Sequence, residues 1–209
     1  MGDVCFLLHQ WLWSLPRYSF PFVVEQLPLN GLYVLFEKGE TAHGGDRGVR
    51  VGTHTGVNQL PSRLLQHFVM ENKDRSIFRK NIGRSLLAKA HDPYAEVWEC
   101  DLTTRKGKER FGKLVNKDKQ LRVELEITKY LHNNFSFVVI PCVRKVDRLL
   151  WESKIISTLA RCDSCCPSHQ WLGSFSPKVK IRDAGLWLVN GLGAEPLSLE
   201  ELETLKKLV

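Results

Sequence analysis

Apolar and polar positions change period several times along this chain, and each change marks an element. From Gly31 to Glu37 they alternate, with Leu32, Val34 and Phe36 on one side and Tyr33, Leu35 and Glu37 on the other. Alternation by twos predicts a strand, and two largely apolar faces predict a central strand covered on both sides. Residues 38–48 carry Gly39, Gly44, Gly45 and Asp46 and read as a hairpin loop. The returning strand, Val49–Thr55, sets Val49, Val51 and Thr53 on one face and Arg50, Gly52 and His54 on the other. Pro61 then suits the first turn of a helix buried along Leu60, Leu64 and Phe68.

The rest of the chain mixes the two periods. Residues 5–15 predict a short helix ended by Pro16, and Pro21 and Pro28 keep the next segment extended. Residues 71–90 are basic but interleaved with Ile77, Phe78, Ile82, Leu86 and Leu87, which predicts a partly helical, half-buried segment. Residues 95–102 alternate as a strand, and 103–119 read as a charged linker. A helix is expected over 118–132, a strand over 135–142 and a helix capped by Asp147 up to Ala160. Residues 162–185 are irregular, and 186–190 read as a short helix or strand. Ser198 with Glu201 forms a capping box for a last helix. The expected fold is α/β (α+β), a small mixed central sheet flanked by helices. It divides into an N-terminal arm (1–28) packed on the core, a core (29–161) and a C-terminal extension of the same domain (162–209).

Charge narrows the partner. The chain of 209 residues carries a formal charge of +7, which favours an anionic partner, nucleic acid being the commonest. No apolar run reaches the roughly 20 residues a membrane helix needs, so no membrane partner is expected. Six sparse cysteines do not make a secreted disulfide framework, and a reducing, cytoplasmic setting is expected. Cys162, Cys165 and Cys166, with His169 nearby, have a zinc-like spacing, but no second pair is spaced to complete a site. Free thiols explain the spacing equally well.

Candidate chemistry centres on one anomaly. On the last long helix, Glu152 falls on the stripe of Leu149, Ile155, Ile156 and Leu159. A carboxylate there is either one half of a buried ion pair, with Arg148 as partner, or a metal ligand. Arg63 and His67 stand four apart on one helix face, where a solvated face is the plain alternative. Tyr33 is either a core aromatic with its hydroxyl bonded or a reactive group.

Together these residues resemble the GIY-YIG nuclease superfamily. Gly31-Leu32-Tyr33 looks like its first motif, and Arg50-Val51-Gly52 stands where its second would be. Arg63 and His67 match its helix arginine and the histidine four residues on, and Glu152 resembles its metal-binding glutamate. The match is close over 29–68 and loose over 135–160. The resemblance implies hydrolysis of phosphodiester bonds with one divalent metal, Mg2+ or Mn2+, held on Glu152. It implies Tyr33 as general base or positioner of the attacking water, Arg63 bracing the scissile phosphate, and His67 orienting or relaying a proton. Arg50 replaces the second-motif tyrosine, with His54 two residues on as its candidate stand-in, and the hairpin between the motifs is longer than in the minimal module. Asn190 is the candidate for a downstream asparagine. Arg79, Lys80, Arg84 and Arg148, with the basic run 105–119, are candidates for contacting a phosphate backbone. The expected partner is nucleic acid, DNA in preference to RNA. The alternatives are a binding module that keeps the fold without cleavage and, from another class, a zinc-stapled interaction protein.

Overall fold

In the computed structural model, residues 2–209 are described, and they form one four-stranded sheet with helices on both faces. Strands β1 (Arg17–Ser19), β2 (Gly31–Ala42), β3 (Gly45–Gly52) and β4 (Phe135–Pro141) lie in the order β1-β4-β2-β3. Every pairing is antiparallel, so the α+β class holds while the sheet is not of mixed direction. Two motif glycines have steric reasons. A Cβ at Gly31 would stand 2.5 Å from the Ile140 carbonyl oxygen across the β2–β4 pair, and one at Gly52 would meet the Tyr33 hydroxyl at 2.2 Å. Tyr33 is directly opposite Gly52, and its phenol lies over that residue.

The β2 alternation is as the apolar pattern predicts. Leu32, Val34 and Phe36 enter one core, with helix α1 (Gly2–Ser14), α7 (Lys145–Ala160) and α9 (Leu199–Lys206). Tyr33 and Leu35 enter the other, with α2 (Leu60–Phe68), α3 (Ile77–Lys89) and α6 (Lys117–Asn134). The reading of β3 needs a correction. Leu35 pairs with Arg50 but the next residue, Phe36, pairs with Gly48, so Val49 is an extra, bulged residue. The bulge puts Val49 in the second core and Val51 in the first.

Other differences have similar local causes. Residues 94–98 form helix α4 (Tyr94–Trp98) instead of a strand, since Tyr94 and Trp98, four apart, are its two buried residues. Trp98 packs directly against Gly83 of α3. The supposed linker contains α5 (Arg105–Phe111), capped by the Thr104 side chain. Helix α3 is far more buried than its charge suggested, with Phe78 to Ser85 covered apart from Lys80. The stretch after α7 holds α8 (Val179–Ala184) and two 3-10 turns. Residues 186–190 form no regular element. Trp187 instead donates its N–H to the Val49 carbonyl (2.8 Å), covering part of the open edge of β3. Among the described residues, no helix is long and apolar enough to cross a membrane.

Candidate active site

The sheet edge at β3 is where its two faces meet, and a cleft of ≈ 370 Å3 opens there. Thr53 and His54 reach it from the end of β3, Gln59, Ser62 and Arg63 from the start of α2, and Glu152 from α7. Glu152 thus arrives from one face of the sheet and Arg63 from the other. A second cleft of ≈ 290 Å3 shares Glu152 and adds Arg50, Asn81 and Asn190.

Glu152 sits beside the core stripe and opens toward the cleft. Ile155, Ile156 and Leu159 are buried, whereas Leu149 is 40% exposed and helps line the cleft. Among the described residues, no cation lies within ion-pair distance of the Glu152 carboxylate. Burial pushes its pKa up, and the Arg50 charge, the Thr53 backbone and the Arg63 charge pull it part of the way back. The expected ion pair with Arg148 is absent. Arg148 is buried, and its guanidinium donates to the carbonyls of His54 (3.4 Å), Gly56 (3.2 Å), Cys142 (3.3 Å) and Val143. It ties the loop after β3 to the start of α7, and so it holds the cleft wall instead of a phosphate backbone.

Among the described residues, the arginines of the clefts have no carboxylate within ion-pair distance. Arg63 donates to the Gln66 side chain (2.9 Å) and the Arg75 carbonyl (3.1 Å), which leaves its charge uncompensated beside Glu152. Arg50 is buried, with its guanidinium 4.9 Å from the Phe78 ring and donating to the Trp187 carbonyl. Its Nε has no hydrogen-bond partner among the described residues.

Beneath the cleft lies a closed polar line. The Tyr33 hydroxyl is 2.6 Å from His67 Nε2, and His67 Nδ1 is 2.7 Å from Ser76 Oγ, which also caps α3 by accepting from the Arg79 N–H. Tyr33 and His67 are both fully buried. Burial, followed by the charges of Arg50, Arg63 and Arg79, holds the His67 pKa well below its ordinary value, so the ring is neutral. With Nδ1–H donating to Ser76, Nε2 accepts a hydrogen bond from the phenol O–H. Tyr33 lines neither cleft, and its hydroxyl is engaged with His67 under Gly52.

His54 lines the cleft but is also engaged. Its Nε2 accepts from the Gly31 N–H (3.3 Å), and its Nδ1 donates to the Gly56 carbonyl (2.8 Å). As a stand-in for a catalytic tyrosine it would have to give up both bonds. Burial and the Arg148 charge lower its pKa.

The basic residues of α3 expected to contact a phosphate backbone are engaged within the fold. Arg79 is completely buried and paired with Glu124 at 2.8 Å, with further bonds to the Glu124 carbonyl and Thr128. Arg84 forks onto both Glu99 oxygens at 2.6 Å. Lys80 donates to the Glu99 carbonyl and lies 3.7 Å from Asp74. These cations join helices to one another. Exposed positive charge lies on α5, at Arg105, Lys106, Lys108 and Arg110, and elsewhere, as at Lys117, Arg122, Arg144, Lys145, Lys178 and Lys180. Residue spacing did not single out Thr53, Gln59, Ser62 or Gln66, whose only sequence signal is being polar around the α2 start.

A family model described as GIY-YIG domain matches residues 22–209. No curated protein and no solved structure matches the chain.

Proposed function

The chain belongs to the GIY-YIG family, and from that premise we propose that it is a divalent-metal-dependent nuclease hydrolysing phosphodiester bonds in DNA. The observation that carries the proposal is the unpaired, half-buried Glu152 carboxylate sharing a cleft with Arg63. A single carboxylate in a polar cleft suits Mg2+ or Mn2+, which keep several waters and take further oxygens from substrate phosphate. When bound, such an ion supplies Lewis-acid polarisation of the phosphoryl oxygen and stabilises the leaving oxygen.

The protein's own groups then have distinct tasks. Glu152 is the metal ligand. Arg63 braces the scissile phosphate with a permanently charged, planar fork. Arg50 adds a second positive charge behind the cleft, where the negative charge of the transition state accumulates. Tyr33, His67 and Ser76 are positioning residues that tie β2 to α2 and the start of α3, with the Tyr33 phenol lying over Gly52 at the end of β3. Asn190, exposed at the second cleft, lies where the strand leaving the site would pass.

Nicking of supercoiled plasmid, and cleavage of flap, junction and single-stranded DNA with Mg2+, test the proposal. Glu152→Gln is expected to cost at least about 100-fold in rate, and Arg63→Ala a similar factor. Equal cleavage by wild type and Glu152→Gln would rule the assignment out. A second reading, a nucleic-acid-binding module without cleavage, is favoured by Arg50 in place of tyrosine and by the engaged Tyr33 hydroxyl. It predicts salt-sensitive DNA binding and no metal-dependent cleavage on any of these substrates.

A further inference from the structure

A second cluster of reactive side chains lies away from the cleft, where three distant segments meet. Cys5 comes from α1, His43 from the tip of the β2–β3 hairpin, and Cys162 and Cys165 from the turn after α7. Cys5 Sγ is 3.6 Å from Cys165 Sγ, and His43 Nε2 is 3.4 Å from Cys162 Sγ and 3.6 Å from Cys165 Sγ. A tetrahedral zinc ion with its usual Zn–S and Zn–N lengths spaces its ligands about 3.8 Å (S···S) and about 3.6 Å (S···N) apart. The observed separations have the size of those edges. All three cysteines are buried, and His43 is half-buried.

The neighbours sort themselves by their hydrogen bonds. Ligand atoms of Cys5, His9, His43 and Cys165 all lie within 4.8 Å of one another, which would admit His9 to the site. Yet His9 Nδ1 donates to the Cys5 carbonyl (2.9 Å), and its Nε2 accepts from the Gly48 N–H (3.2 Å). Neither nitrogen is free, so His9 orients Cys5 against β3, and Cys162 is the better fourth donor. Cys166 and His169, the other members of the zinc-like sequence spacing, are exposed, and Cys166 bonds to the Asp163 carbonyl. His43 itself has φ 56°, followed by Gly44 at φ 87°. That two-residue hairpin turn favours asparagine or glycine at its first position, and ligand duty gives a reason for histidine there.

We propose that Cys5, His43, Cys162 and Cys165 form a closed Cys3His zinc site with a structural role. Four protein ligands leave no open position for catalysis. Cys162 also lies ten residues past Glu152, roughly 15 Å along the helix direction. The ion would pin α1, the hairpin tip and the C-terminal end of α7 together. Cys5 precedes residue 22, where the family match begins, so the site fastens a segment outside the match to the matched domain. Binding replaces the thiol protons, which are released to solvent.

The test uses the untagged full chain expressed with zinc and purified without strong chelators. Elemental analysis is expected to find about one zinc per chain. Co2+ added to the metal-free chain should give visible bands of tetrahedral cobalt and a near-ultraviolet charge-transfer band scaled to three thiolates. Cys166→Ser and His169→Ala should retain both signals, while His43→Ala and Cys162→Ser should lose at least about 10-fold in metal affinity. Three results would overturn the site: wild type with under about 0.1 zinc per chain and no thiolate band, full metal retention by both ligand variants, or a Cys5–Cys165 disulfide in natively alkylated protein. Because the cobalt spectrum is read on wild type, a variant that fails to fold does not decide the outcome.

Discussion

Glu152 and Arg79 answer burial in opposite ways. Arg79 is fully paired inside the second core, whereas Glu152 keeps a carboxylate without a cation partner at the cleft. Since burial raises the Glu152 pKa in the folded state, the folded chain binds that proton more tightly than the unfolded chain, whose value is near 4.5. The group's contribution to stability is therefore present below that value and lost as pH rises through the folded pKa. Without metal at neutral pH, Glu152→Gln should melt higher than wild type by on the order of 2–4 °C, with the gap closing as pH falls toward the unfolded value. A lower melting temperature for the variant would indicate a structural ion pair. Metal affinity of the wild type should rise with pH over the same window. Tyr33→Phe tests the buried line, since it leaves His67 Nε2 without its partner and should cost ~1–3 kcal/mol in urea unfolding. If Tyr33 is only a positioning residue, the pH profile of cleavage stays in place, whereas loss of one limb of the profile would mark it as a base.

Secondary elements were legible where periodicity is local, and obscure where a distant partner decides. The β2 alternation, the helices ending near residues 134 and 160, and the Ser198–Glu201 capping box all follow from neighbouring residues, and the box closes both of its hydrogen bonds. The Val49 bulge adds one residue to a strand that still reads as alternating, so the exchange of faces is invisible without the β2 register. Ala95, Val97 and Glu99 imitate a strand, while the pair that packs is Tyr94 and Trp98. Basic residues of α3 looked like a phosphate-facing surface because their carboxylate partners, Glu124 and Glu99, lie 45 and 15 residues away. Their role separates experimentally. Arg79→Met should cost about 3–5 kcal/mol of stability by stranding Glu124, yet leave DNA affinity per folded molecule unchanged. At the cleft, Arg63 and Glu152 were readable from position and type. The engagement of Tyr33, His54 and Arg148 was not, because each is fixed by backbone groups or side chains remote in sequence.

For the molecule as a whole, the +7 charge matters through the part that remains exposed. With α3 inside the fold, the exposed cations of α5 are among those left to attract the nucleic acid of the proposed function. Replacing Lys106, Lys108 and Arg110 by glutamine should weaken binding at low salt and flatten the slope of log affinity against log salt by about 0.9 for each phosphate no longer neutralised. An unchanged slope would place the DNA path elsewhere. The cleft at the β3 edge carries a further consequence. Arg63 belongs to the layer on one side of the sheet and Glu152 to the layer on the other, so neither core alone sets the distance between them. Slippage of the α7 layer by an ångström or so would spoil their alignment while both hydrophobic clusters stay intact. Warming should therefore disable this site by misalignment before it melts the chain, and cohesion between the two layers sets the upper working temperature.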